Sequence, residues 1–268
     1  MPVLSVKNIS IAFGKKEKKR IVVDNVSWEL QKGEILGIIG ESGSGKTLSC
    51  LALLQLTPPA AEIIQGTALF DGTDLLSTPH IRTFRGKRIG YIFQEPRPAF
   101  DPIYPIGKTM IETLRNTYED ESPDILEDRA VELLKEMHIP QPKRRIKNYS
   151  HQFSGGMLQR VMIALALAQK PEILIADEAT TSLDVTIQAE IVQLVFELKK
   201  KHGLSIIFIS HDISLVSGIA DRIMVMEAGN IRELNETKRL ITEPEHVYTK
   251  MLLSNVISME GRKNAAGG

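Results

Sequence analysis

The stretch GESGSGKT, Gly40 to Thr47, is a glycine, four residues and then Gly-Lys-Thr, the spacing of a loop that cradles phosphate. Gly40, Gly43 and Gly45, with Ser42 and Ser44 between them, let backbone N–H groups curl around the β- and γ-phosphates of a nucleotide. Lys46 adds a point charge, and the Thr47 hydroxyl can ligate Mg²⁺. Such chemistry needs a second, acidic element. ILIADE ends an apolar run in Asp177 and Glu178. Alone this is a solvated strand end; beside a cradle, Asp177 holds Mg²⁺ and Glu178 orients the attacking water and takes its proton. IFISHD ends in His211, which alone reads as structural and here is placed to stabilise charge developing on the γ-phosphate. Gln94, at the end of GYIFQ, is either a surface amide or a contact to Mg²⁺ and the attacking water.

HQFSGGMLQR poses a different question. Ser154, Gly155 and Gly156 open an apolar helix and would leave backbone N–H groups bare at its N-terminus, which again suits an anion. One nucleotide does not need two cradles from one chain.

The elements that must position these groups show as patterns. VLSVKNISIAF and IVVDNVSWEL alternate apolar and polar residues around the charged GKKEKKR, which predicts an antiparallel hairpin with a solvated loop. EILGIIG is a buried strand, and GKTLSCLALLQL is a helix that ends at Pro58 and Pro59. RIGYIF is a further strand, after which Pro96, Pro98, Pro102 and Pro105 break the pattern. From about 106 to 170 the period is helical, with Ser122 an N-cap and Pro123 the first helical residue of one segment, which predicts an inserted helical subdomain. EILIA, SIIFIS and RIMVM then alternate with helices, one of them capped by Gly203. That alternation predicts an α/β fold with a mostly parallel sheet and ligands beyond its strands' carboxyl ends. The tail from about Asn235 is weakly patterned, and GRKNAAGG is expected to be disordered.

Composition narrows the partners. Thirty-three basic residues balance thirty-three acidic ones, so no overall positive field points to nucleic acid. The single cysteine, Cys50, permits no internal disulfide and no cysteine-held iron–sulfur cluster. No apolar run reaches transmembrane length, and MPVLSVKNIS lacks the pattern of a signal peptide. The six histidines show no metal-ligand spacing.

With these motifs in view, the chain resembles the nucleotide-binding subunits of ABC transporters, over roughly residues 3 to 255. The resemblance implies a P-loop NTPase fold: an ABC ATPase domain over 1–235, with an antiparallel β subdomain, a RecA-like parallel-sheet core and a helical subdomain inserted at about 98–165. Residues 236–268 would form a C-terminal tail. It implies ATP and Mg²⁺ as cofactors, and it makes Phe153 to Met157 the signature motif that binds ATP held by a partner subunit packed head to tail. By the same resemblance Phe13 stacks on adenine and Ser182 to Asp184 form the D-loop at the dimer seam. Met157 stands where the signature usually has glutamine, and Ala179 where proline is common.

QEPRPAFDPIYPIGK and EPEHVYTKMLL resemble the dipeptide, oligopeptide and nickel importer group, and SGGMLQRVMIALALA is especially similar to nickel-import ATPases. That implies nickel or a metal chelate as solute, with peptide as the alternative. The implied partners are a second related ATPase in a heterodimer, two membrane permease subunits and an extracytoplasmic solute-binding protein. The chain would then sit peripherally on the cytoplasmic face of the bacterial inner membrane. A non-transport ABC ATPase would be expected to carry long coiled coils, tandem cassettes or basic faces, and an adenylate-kinase-like phosphotransferase would not need FSGGM.

Overall fold

A computed structural model describes residues 2–14, 19–180 and 183–254. The chain divides into two compact units, Met1–Ile81 with Ser205–Gly268, and Arg82–Leu204.

The first unit begins with strands β1 (Pro2–Phe13) and β2 (Arg20–Gln31), paired antiparallel. Register places Leu4 opposite Leu30, Val6 opposite Trp28 and Ile11 opposite Val23, so one face is apolar throughout and buried, as the alternation requires. Strand β3 (Ile35–Ile39) is buried on both faces, which a continuous apolar run demands, and is followed by helix α1 (Lys46–Leu53). Strands β4 (Ala61–Phe70) and β5 (Thr73–Asp74) complete a four-stranded antiparallel sheet in the order β2-β1-β4-β5. Neither was anticipated. Much of β4 is exposed, Ile64 at 45%, so its alternation is faint and pairing with β1 holds it.

The second unit opens with β6 (Ile89–Ile92) and then turns helical: α2 (Ile106–Arg115), α3 (Pro123–Glu136), α4 (Pro142–Arg145) and α5 (Gly155–Leu167). Ser122 caps α3 by accepting from the Ile125 N–H, with Pro123 at the first helical position. Strand β7 (Ile173–Asp177) runs parallel to β6, and α6 (Val185–His202) closes the unit on Gly203, whose φ of +67° suits the left-handed cap.

The chain then returns to the first unit with β8 (Ser205–Ser210), α7 (Ile213–Ser217), β9 (Arg222–Glu227), β10 (Asn230–Glu236) and α8 (Thr237–Thr242). Strand β3 lies parallel between β8 and β9, and β10 is antiparallel to β9. The weak pattern after Asn235 conceals real structure: α8 and a second helical segment over 247–254, in which Tyr248 is 5% exposed. The expected disorder of GRKNAAGG lies outside the described residues, as do residues 15–18 of the first loop. No described helix is long and apolar enough to cross a membrane.

Candidate functional site

In the first unit the chain leaves buried β3 at its carboxyl end and turns into α1 through the glycine-rich loop. Gly40 has φ +152°, and a Cβ there would lie 2.1 Å from the Met226 carbonyl oxygen, so no side chain fits. Gly45 caps α1 at φ +100°, leaving that helix start without a side-chain cap. The β9–β10 turn grips the loop from behind, where the Gly229 N–H donates to the Ser44 carbonyl at 3.1 Å. Lys46 is 3% exposed, and its ammonium donates to the Gly40 and Glu41 carbonyls at 2.8 and 2.9 Å.

The Ser44 hydroxyl is buried, with no hydrogen-bond partner among the described residues. An orphaned hydroxyl beside an uncapped helix start and a buried ammonium is a site shaped for an anion. Thr47 is half-buried at the first turn of α1, and Ser42 and Gly43 face solvent. Parallel register pairs Ile39 with Ser210, so His211, exposed one residue beyond β8, stands at the same strand end as Gly40. Phe13 ends β1 half-buried, in the hairpin whose Val23 would lie 3.0 Å from a Cβ at Gly45.

The second unit carries the acidic element. Asp177 is the last residue of β7, 5% exposed, and its carboxylate accepts the Tyr91 hydroxyl at 2.7 Å. Parallel register sets Tyr91 opposite Ile175, two residues before Asp177. Glu178 follows in the left-handed region at φ +45°, uncommon for a residue with a side chain. Gln94 donates its amide to the Glu178 carboxylate at 3.0 Å, so two residues singled out separately meet here.

Ser154 satisfies one N–H of the helix it opens. Its hydroxyl caps α5, accepting from the Met157 N–H at 3.3 Å. Gly155 is exposed, whereas Gly156 is a packing glycine: a Cβ there would meet the Ile187 Cγ2 of α6 at 2.7 Å. Asp184 caps α6 by accepting from the Ile187 N–H, and Ser182 lies outside the described residues. Ser154, Gly155, Gly156, Arg160, Leu183 and Asp184 line an open cavity of about 970 Å³. Sequence reasoning missed Tyr91 and the packing role of Gly156, because both depend on which elements lie side by side.

Several known proteins are similar to this chain. A family model described as ABC transporter matches residues 23–181. The dipeptide transport ATP-binding protein DppD of Haemophilus influenzae is 45% identical over 258 residues, covering 96% of this chain and 78% of that protein. The metal-staphylopine import system ATP-binding protein CntD of Staphylococcus aureus is 41% identical over 256 residues, covering 95% and 93%. The peptidoglycan transport ATP-binding protein YejF of Agrobacterium fabrum is 43% identical over 256 residues, and the chain spans 47% of its length. Among solved structures, a dimeric ATP-binding cassette in a post-hydrolysis state with ADP and Pi matches at TM-score 0.77 and 26% identity, covering 87% of this chain and 98% of that one. The chain belongs to the ABC transporter family and is one of its ATP-hydrolysing cassettes.

Proposed function

We propose that this chain is the ATP-binding subunit of an ABC importer and hydrolyses ATP where two cassettes meet. The observation that carries this is the cradle, with its orphaned Ser44 hydroxyl, uncapped α1 and buried Lys46. Backbone N–H groups of Gly43 to Thr47 and the Lys46 ammonium hold the β- and γ-phosphates, and Phe13 stacks on adenine. The Thr47 hydroxyl in the first unit and the Asp177 carboxylate in the second are each hard oxygen donors of the kind that would suit Mg²⁺. When bound, Mg²⁺ would supply positive charge to offset that of the phosphates.

Glu178 would accept the proton of the attacking water, and Gln94, hydrogen-bonded to it, would help hold Mg²⁺ and that water. His211 donates to the γ-phosphate as charge builds there. Ser154, Gly155 and Gly156 face a nucleotide held by the other cassette, which closes over it. That second cassette is a related subunit in a heterodimer, and two permeases with an extracytoplasmic binding protein complete the system, holding this chain peripherally at the cytoplasmic face of the inner membrane. The ATPase domain occupies 1–235, with its helical insert at about 98–165 and the tail at 236–268.

The relative named for dipeptide transport supports a peptide as solute. A metal chelate, nickel included, is the second reading, favoured by the metal-staphylopine relative, which matches over 93% of its own length. The test uses the reconstituted importer. Glu178→Gln should keep ATP binding while hydrolysis falls by at least about 100-fold; near-normal turnover would overturn the assignment. Stimulation of the native ATPase by loaded binding protein, with peptide or with Ni²⁺ chelate, separates the two solutes.

A further inference from the structure

The peptide unit between Gly40 and Glu41 is held at both ends. Its carbonyl accepts the Lys46 ammonium at 2.8 Å, and its N–H donates to the hydroxyl oxygen of Tyr248 at 3.2 Å, across 207 residues of sequence. Tyr248 belongs to the tail, beyond the 23–181 that the family model matches. It is buried to 5% exposure, and burial pushes its hydroxyl above the ordinary tyrosine range, so it stays neutral.

The tail is anchored independently. The Glu233 carboxylate of β10 accepts the N–H groups of Glu245 and His246, both at 3.1 Å, and the Tyr248 N–H donates to His246 Nδ1 at 3.1 Å. Burial acts to raise the Glu233 carboxyl, and the hydrogen bonds it receives outweigh that, leaving it below the ordinary glutamate value. It therefore stays ionised and keeps its grip at neutral pH. Strand β10 pairs with β9, whose Met226 carbonyl and following Gly229 already confine the loop. The C-terminal third thus reaches the cradle twice, once through the β9–β10 turn and once through Tyr248.

We propose that Tyr248 is a positioning residue of the phosphate cradle: its hydroxyl orients the Gly40–Glu41 peptide and links occupancy of the cradle to docking of the tail. The proposal rests on ATP being the cradle's ligand. The Gly40 carbonyl shares Lys46 with the Glu41 carbonyl and with incoming phosphate, whereas the Glu41 N–H takes its partner from the tail. Drawing Lys46 toward phosphate makes the tyrosine bond matter more. Coupling is reciprocal, so bound ATP must in turn favour the docked tail.

Amide hydrogen exchange on the full chain tests both halves. Without nucleotide, Tyr248→Phe should speed exchange at the Glu41 amide by about ten-fold, the factor for losing one local hydrogen bond, while Glu245 and His246 stay protected. Tyr248→Phe should also weaken ATP binding by a few-fold, where Tyr248→Ala weakens it further. With wild-type protein ATP should slow exchange over 247–254, and Tyr248→Phe should remove that slowing. An unchanged Glu41 rate in Tyr248→Phe, or equal ATP protection of the tail in both proteins, overturns the proposal. The nucleotide-free measurement does not depend on ATP, so failure of the ATP reading alone would leave the Glu41 result intact.

Discussion

The loop before α1 and the start of α5 use the same residue types, serine and glycine at the mouth of an apolar helix, to opposite ends. At α1 the cap is Gly45, no side chain among the described residues satisfies the helix start or partners the Ser44 hydroxyl, and Lys46 is buried close by in sequence. At α5 Ser154 caps its own helix, and it and Gly155 are exposed. An unsatisfied buried site draws an anion unaided, because any bound oxygen removes a desolvation cost already present. A self-capped exposed helix start offers only its remaining N–H groups and a weak dipole in water, and it gains affinity when a second surface excludes solvent. Similar letters therefore open one helix that must find its acceptor elsewhere and another that caps itself.

The largest test strikes the cradle's backbone. Gly40→Ala sets a Cβ 2.1 Å from the Met226 carbonyl at a φ of +152°. Strain and overpacking each contribute roughly 1–3 kcal/mol, so destabilisation of about 3 kcal/mol or more is expected, with loss of ATP binding. Urea denaturation measures it, and wild-type stability would show that the loop is not confined as described. Next in size is the pair Lys46→Ala and Ser154→Arg. Losing a charge-assisted hydrogen bond should weaken ATP binding by the isolated chain roughly ten- to hundred-fold in Lys46→Ala. Ser154→Arg should leave that binding intact and block ATP-driven closure with the second cassette. Loss of ATP by the Ser154→Arg monomer would mean that the signature serves its own chain's nucleotide.

How much of this was legible follows the same division. The loop from β3 to α1 could be read because its chemistry is contiguous: strand, glycines, lysine and hydroxyl occur in one stretch, and the strand end at Asp177 was equally local. The caps Ser122, Pro123 and Gly203 were visible for the same reason. The antiparallel hairpin was legible from alternation, whereas β4 was not, since a largely exposed strand owes its shape to its pairing with β1. The Tyr91 bond to Asp177 depends on parallel register across 86 residues, and the demand for Gly156 depends on where Ile187 of α6 crosses α5. Nothing periodic in one segment reports what a distant segment places beside it. The tail shows this most clearly, being weakly patterned yet packed against the loop through Tyr248.

The two glycines of the signature allow a finer test. A Cβ at Gly156 would press on Ile187 at 2.7 Å, and that β-branched side chain has little freedom to give way. Overpacking of about 2 kcal/mol, less the roughly 1 kcal/mol that alanine gains over glycine in a helix, leaves Gly156→Ala about 1 kcal/mol less stable. At Gly155 the nearest atom, Leu183 Cδ2, lies at an ordinary 3.5 Å. Gly155→Ala should therefore be neutral or stabilising by up to about 1 kcal/mol. Equal effects in thermal denaturation would mean that α5 does not pack on α6 through Gly156.

The smallest expected effect asks whether a group already satisfied, like Ser154, still contributes to function. The Asp177 carboxylate accepts the Tyr91 hydroxyl at 2.7 Å, a bond that fixes which way its oxygens point before any metal arrives. Carboxylates that bind metal are commonly oriented by such an outer hydrogen bond. Tyr91→Phe keeps the ring, which lies 4.7 Å from that of Phe93, and removes only the hydroxyl. The loss is expected to be about 1 kcal/mol, roughly a five-fold rise in the Mg²⁺ concentration needed for half-maximal ATPase, with ATP binding in the absence of Mg²⁺ unchanged. The sign has a physical basis: a carboxylate that has lost the Tyr91 bond is less ordered, and the order that Tyr91 supplies in advance is then taken from metal affinity. An unchanged Mg²⁺ dependence would show that Asp177 is held well enough without Tyr91. A loss of Mg²⁺-free ATP binding would instead make Tyr91 part of the nucleotide site.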